Sequence, residues 1–98
     1  MNMQALMQQA QKMQRDLTKK KDELNKKEFK GSSEWVDVVF SGDKKLVSVV
    51  IKQEGTLDDE DKEMLQDMLV IAINDAMSKI DKEMDSMLGA YGNLGGLM

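Results

Sequence analysis

Apolar residues recur at helical spacing near both ends of this 98-residue chain and at alternate positions between them, which predicts helix, strands, helix. The stretch Thr56 to Leu88 lacks glycine and proline. Leu65, Met68, Leu69, Ala72, Ile73, Ala76, Met77 and Ile80 spread over roughly half of its helical wheel. Beyond Ile80 the apolar set narrows to Met84, Met87 and Leu88, with Asp81, Glu83 and Asp85 between them. A belt that narrows to a stripe predicts a helix docked over its first half and projecting at its end. Thr56, with Asp59 three residues on, reads as its N-cap, and Gly89 as its terminator.

Met3 to about Glu28 predicts a first helix with a heptad seam through Met3, Leu6, Ala10, Met13, Leu17 and Leu24. Lys20 and Lys27 stand at seam positions where a leucine would be expected. A helix of this length, about 39 Å at 1.5 Å per residue, exceeds what a globule of this size needs. Part of it must meet another subunit or stand in solvent, and homodimerisation is the simplest way to cover the seam. Between the helices, Glu34–Phe40 and Lys45–Ile51 are rich in β-branched and aromatic residues and flank the turn signal Ser41-Gly42-Asp43-Lys44. Val36, Val38 and Phe40 share one face, as do Val47, Val49 and Ile51, with Trp35 and Val39 on the other side. Phe29-Lys30-Gly31 supplies a short extra strand, with Gly31-Ser32-Ser33 turning into the hairpin. Two or three strands need the last helix laid across a face.

The fold class expected is therefore α+β: a long N-terminal helix, a small antiparallel sheet of two to three strands, and a long C-terminal helix. Residues 1–88 form a single domain, and residues 89–98 a flexible glycine-rich tail. Ten methionines suit adaptable packing in a core or dimer seam.

Composition removes several function classes. The chain has no cysteine and no histidine, so disulfides, the usual zinc ligands and the commonest nucleophile–base pairs are absent. No serine, lysine or carboxylate constellation has catalytic spacing, so no enzyme, cofactor or small-molecule substrate is expected. The acids Asp58, Asp59, Glu60 and Asp61 lack the alternate spacing of a calcium loop and suit the positive end of a helix dipole. The longest apolar run, Leu69–Ile73, is far short of the ~20 residues that span a bilayer, and the glutamine-rich start carries no export signal. A cytoplasmic protein without a membrane partner is the expectation.

Charge changes the picture. The net charge is −4, yet residues 1–30 carry eight basic against four acidic residues, and residues 56–98 three against ten. On the first helix Lys12, Arg15, Lys19 and Lys26 fall within about 60° of one another, extended by Gln4 and Gln8. Such a row can touch phosphates without reading sequence; it can equally be the solvated back of a coiled-coil helix.

The words Met7-Gln8-Gln9-Ala10-Gln11-Lys12-Met13-Gln14, Leu57-Asp58-Asp59-Glu60-Asp61-Lys62-Glu63-Met64-Leu65 and Ala72-Ile73-Asn74-Asp75-Ala76, in this order, resemble the YbaB/EbfC family of nucleoid-associated DNA-binding proteins. The resemblance covers nearly the whole chain and includes the glycine, methionine and leucine tail. It departs at Gly31-Ser32-Ser33-Glu34-Trp35, where members often carry more glycine, and in the stronger basic character of the first helix. It implies an intertwined, tweezer-like homodimer that binds double-stranded DNA in the cytoplasm and nucleoid. On that reading Gln8, Lys12, Arg15, Lys19 and Lys26, with Lys79 and Lys82 toward the arm tips, contact DNA. Met3, Leu6, Ala10, Met13, Leu17, Trp35, Leu65, Leu69, Ile73 and Ile80 form the core or dimer seam. The rival is a protein-interaction module whose Met- and Leu-rich arms hold a partner protein.

Overall fold

The computed structural model describes residues 2–95. Its elements are α1 (Met3–Lys26), β1 (Glu28–Ser32), β2 (Val36–Ser41), β3 (Leu46–Ile51) and α2 (Asp59–Gly95), an α+β arrangement. The strands form one antiparallel sheet in the order β1-β2-β3. Phe29 stands opposite Phe40 and Gly31 opposite Val38; Val38 in turn faces Val49, and Val36 faces Ile51. These pairs define the inner face of the sheet.

The core lies between that face and α2. Phe29, Val36, Val38 and Phe40 from the sheet meet Ala72, Ala76 and Ile80 from the helix, and α1 contributes Leu24. The i, i+4, i+8 spacing of Ala72, Ala76 and Ile80 places them on one helical face. Two alanines there let the helix approach β1 at backbone distance: a Cβ on Gly31 would stand 1.9 Å from the Ala72 carbonyl oxygen. Trp35, Leu65, Leu69, Ile73, Met77 and Met84 are half-buried around this centre.

Several boundaries differ from those the sequence suggests. The cap of α2 is Asp58, not Thr56. The Asp61 N–H donates to Asp58 Oδ1 (2.8 Å) and the Asp58 N–H to Asp61 Oδ2 (3.1 Å), a reciprocal capping box two residues later. The run of acids offers both registers, and Gly55, with φ of 91°, makes the turn that precedes them. At the other end α2 passes through Gly89 to Gly95, because Gly89 does not take the left-handed conformation a terminator requires. The expected tail at 89–98 is therefore helical as far as Gly95, and residues 96–98 lie outside the described residues. Gly31, expected where the short strand meets its turn, lies within β1; Ser32, expected in the turn, belongs to β1 as well, and the turn moves to Ser33–Trp35.

A large part of the apolar surface is left uncovered in the single chain. With β1 a full strand, α2 packs on β1 and β2 and does not reach β3. Val49 and Ile51 sit on the inner face yet remain 42% and 49% exposed, and every residue of β3 is exposed. Along α1 the residues Met3, Leu6 and Ala10 are likewise exposed rather than in a core; Met13 and Leu17 are half-buried, and Leu24 alone is buried. The result is an elongated chain of 72 × 22 × 13 Å. Its radius of gyration, 19.9 Å, compares with about 13 Å for a compact chain of this length.

Candidate nucleic-acid interface

The helix α1 is an arm held at one end. Asn2 caps its start, its side-chain oxygen accepting from the N–H groups of Gln4 (3.0 Å) and Ala5 (3.4 Å). At its C-terminus Leu24 is buried, the Gly42 N–H donates to the Lys27 carbonyl (2.9 Å), and Gly42 lies directly against the Leu24 carbonyl. Burial of one leucine contributes about 2 kcal/mol, a small tether for a helix of 24 residues. The remainder stands on its own length and cap.

Lys12, Arg15, Lys19 and Lys26 are all exposed along one side of this arm, with Gln8 on the same line. Arg15 and Lys19 share a shallow groove with Gln11, Gln14, Thr18 and Asp22, so amides and a hydroxyl flank the cations. The pairing of charges separates this helix from the rest of the chain. Ion pairs engage Lys27 with Glu83, Lys30 and Lys52 with Asp37, Lys44 with Asp81, Lys45 with Asp43, Lys62 with Asp59, and Lys79 with Asp75. Among the described residues, the cations outside any ion pair are Lys12, Arg15, Lys19, Lys20, Lys21 and Lys26 on α1, and Lys82 on α2. The free positive charge is concentrated on the arm.

Lys79 and Lys82 do not lie at an arm tip, because α2 continues well past them. They line the root of a cleft of about 1010 Å³ between α1 and the second half of α2, together with Lys20, Glu23, Leu24, Lys27, Glu28, Phe29 and Glu83. Most of its charge is already matched. Lys27 bridges Glu83 at 2.5 Å and lies over the Phe29 ring (5.4 Å), while Lys79 donates to the Lys30 carbonyl (2.8 Å) and pairs with Asp75 (3.3 Å). Lys20 and Lys82 remain, against Glu23 and Glu28. The cleft is close to neutral, whereas the row on α1 is not.

Leu24, Lys20 and Lys27 face the cleft, and helical geometry puts the seam residues Met13, Leu17 and Leu6 on that same side. The centre of the basic row lies about 150° around the helix from Met13, Leu17 and Leu6 and about 100° from the cleft-lining Lys20, Glu23, Leu24 and Lys27, on the outer flank of the arm. Sequence reading missed this role of Lys20 and Lys27. Their place within an apolar seam was the available signal: lysines interrupting a seam mark a side that looks onto a polar cleft.

A carboxylate fixes the relation of α2 to the sheet. Asp75 Oδ2 accepts from the Ser32 N–H (3.0 Å) and lies beside Lys79, and these interactions hold its carboxyl below the usual aspartate value. Asp37 is lowered in the same direction by Ser32, Lys52 and Lys30. Neither group lies near the basic row.

An exposed basic helix carried on a small three-stranded sheet is an arrangement suited to contact with a polyanion. The chain belongs to the YbaB/EbfC DNA-binding family, whose model matches residues 1–96, and that family is not one of enzymes. It is similar to a nucleoid-associated protein of Ligilactobacillus salivarius, 46% identical across 99% of this chain and 95% of that protein. A nucleoid-associated protein of Enterococcus faecalis is 44% identical across 92% of this chain and 88% of its own length. The fold is shared with the crystal structure of an uncharacterised protein from Helicobacter pylori, with a TM-score of 0.72 and 24% identity over 96% of this chain and 98% of that one. No helix among the described residues is long and apolar enough to cross a membrane.

Proposed function

We propose that the chain acts as a nucleoid-associated protein in the cytoplasm, assembling as a homodimer whose α1 arms hold duplex DNA by its phosphates. The observation that carries this reading is the concentration of unpaired cations on α1, in a chain whose other lysines, Lys82 apart, are held in ion pairs. A row of Lys12, Arg15, Lys19 and Lys26, with Gln8, contacts the backbone and discriminates little between sequences. Lys82 lies in the cleft, apart from the row, and Lys79 serves the sheet. The chain has one tryptophan and one tyrosine, too few to build a stacking platform for single strands. The acidic start of α2, with Asp59, Glu60 and Asp61 in its first turn, keeps DNA away from the opposite end.

Two copies supply what one lacks. The uncovered inner face of β3 and the exposed Val70 on α2 form an apolar shelf beside the core. Val70 lies about 140° around α2 from Asp75, which reaches β1, so it faces the β3 side. The α2 helix of a second copy fits that shelf, and isologous pairing of this kind closes at two chains. The test is binding to a fluorescent duplex by the natural protein and by Lys12→Ala/Arg15→Ala/Lys19→Ala. Loss of affinity in the variant at unchanged helicity is expected; equal affinity removes the row as a site. A second reading rests on the exposed Met3, Leu6 and Met7: the arms hold a partner protein. Under it the triple variant binds duplex no differently from the natural chain.

A further inference from the structure

The sheet has two edges, and the structure treats them differently. At the β1 edge, Lys79 Nζ donates to the Lys30 carbonyl oxygen (2.8 Å), and Asp75 Oδ2 accepts from the Ser32 N–H (3.0 Å). The two side chains are one helical turn apart on α2 and pair with each other at 3.3 Å. In a parallel sheet, one residue of a neighbouring strand donates its N–H to the carbonyl of residue i−1 and accepts from the N–H of residue i+1. Asp75 and Lys79 offer β1 that same donor and acceptor. The close approach of α2 that brings them there depends on Gly31, whose place a Cβ could not share with Ala72 and Ala76. At the β3 edge, among the described residues, no side chain bonds the backbone of Leu46–Ile51.

An unpaired strand edge is a template for another strand, and folded proteins close such edges when association there would be harmful. From this asymmetry we infer that the Asp75–Lys79 pair is an assembly stop: it closes the β1 edge so that copies join only on the β3 side. The inference rests on the dimer reading above and extends it. A two-fold contact on the β3 side leaves both β1 edges facing outward. Were these open, each dimer could add another through β1-to-β1 pairing, and the assembly would grow as a chain of dimers. The lysine and the aspartate close this route of growth. Neither contributes to the basic row, so the stop operates separately from DNA contact.

The test is mass by size-exclusion chromatography with light scattering, across a range of protein concentrations without DNA. It compares the natural protein, Asp75→Ala/Lys79→Ala, and the same double variant carrying Ser32→Pro. The last removes the outward N–H of the edge without touching the β2 ladder. The natural protein is expected at the mass of two chains. The double variant should form four-chain and larger species that increase with concentration, and Ser32→Pro should return it to two chains. Lys79→Met, which keeps the aliphatic stem, serves the same comparison if the double variant loses its circular-dichroism signature. Variants that hold the natural mass at every concentration, or larger species that persist with Ser32→Pro, overturn the stop. A natural protein that runs as one chain instead overturns the dimer reading, and growth of the variant beyond that mass still decides the role of the pair.

Discussion

Gly31 of β1 lies against the backbone of Ala72 in α2, so close that no side chain fits between them. The contact brings helix and sheet to backbone distance, buries Ala76 and Ile80, and carries Asp75 and Lys79 to the strand edge. Gly31→Ala must therefore push α2 away from β1. Overpacking at a backbone contact costs about 3 kcal/mol. Gly89 provides the contrast, since a Cβ there meets nothing within 4 Å and the residue is helical. Gly89→Ala should stabilise the chain by about 1 kcal/mol. Urea-denaturation midpoints of the two variants should move in opposite directions.

Acid should weaken the same junction. The Ser32 N–H and the Lys79 ammonium hold the Asp75 carboxyl below its usual value. A carboxylate depressed in the folded state contributes stability that is fully present above its unfolded pKa of about 3.9, and that is lost as pH falls through the lower folded value. Asp37, also lowered, acts in the same direction. The denaturation midpoint should hold steady from pH 7 to about 5 and decline below about 4. Asp75→Asn should start lower at pH 7 and decline less steeply. An Asp75→Asn profile parallel to that of the natural protein would exclude this group as a source of the acid sensitivity.

The shelf at β3 makes its own prediction. Val49 is inward-facing and part-exposed in the single chain, and a second α2 helix laid across β3 would bury it. Val49→Lys then places an unpaired charge in the contact, at a cost of about 3 kcal/mol or more, over a hundredfold in dissociation constant. Sedimentation velocity should find one-chain species at concentrations where the natural protein is paired. Helicity should be retained, because Val49 lies outside the core of the single chain.

Much of this arrangement was legible in the amino-acid pattern. The spacing of Ala72, Ala76 and Ile80 gives the buried face of α2, and the alternation of Val36, Val38 and Phe40 gives that of β2. The basic row was visible at helical spacing, and its exposure follows from a helix with one buried leucine. What escaped depended on contacts distant in sequence. Gly31 reads locally as the junction of a strand and a turn, and only the approach of α2 reveals it as a packing position inside the strand. Two overlapping capping boxes are written into Thr56–Asp61, and the local sequence does not choose between them. Lys79 reads as one more cation; its engagement with a backbone 49 residues away has no local signature.

The most direct test of phosphate binding by the outer side of α1 is the dependence of duplex affinity on salt. It should be measured for the natural protein, for Lys12→Ala/Arg15→Ala/Lys19→Ala, and for the cleft variant Lys20→Ala/Lys82→Ala. Each phosphate contact contributes about 0.9 to the slope of log K against log salt. The row variant should lose affinity and flatten the slope by about 0.9 for every contact removed. The cleft variant should stay near the natural slope. An unchanged slope in the row variant, or a flattened slope confined to the cleft variant, would contradict the account and move the DNA from the outside of the arm into the cleft.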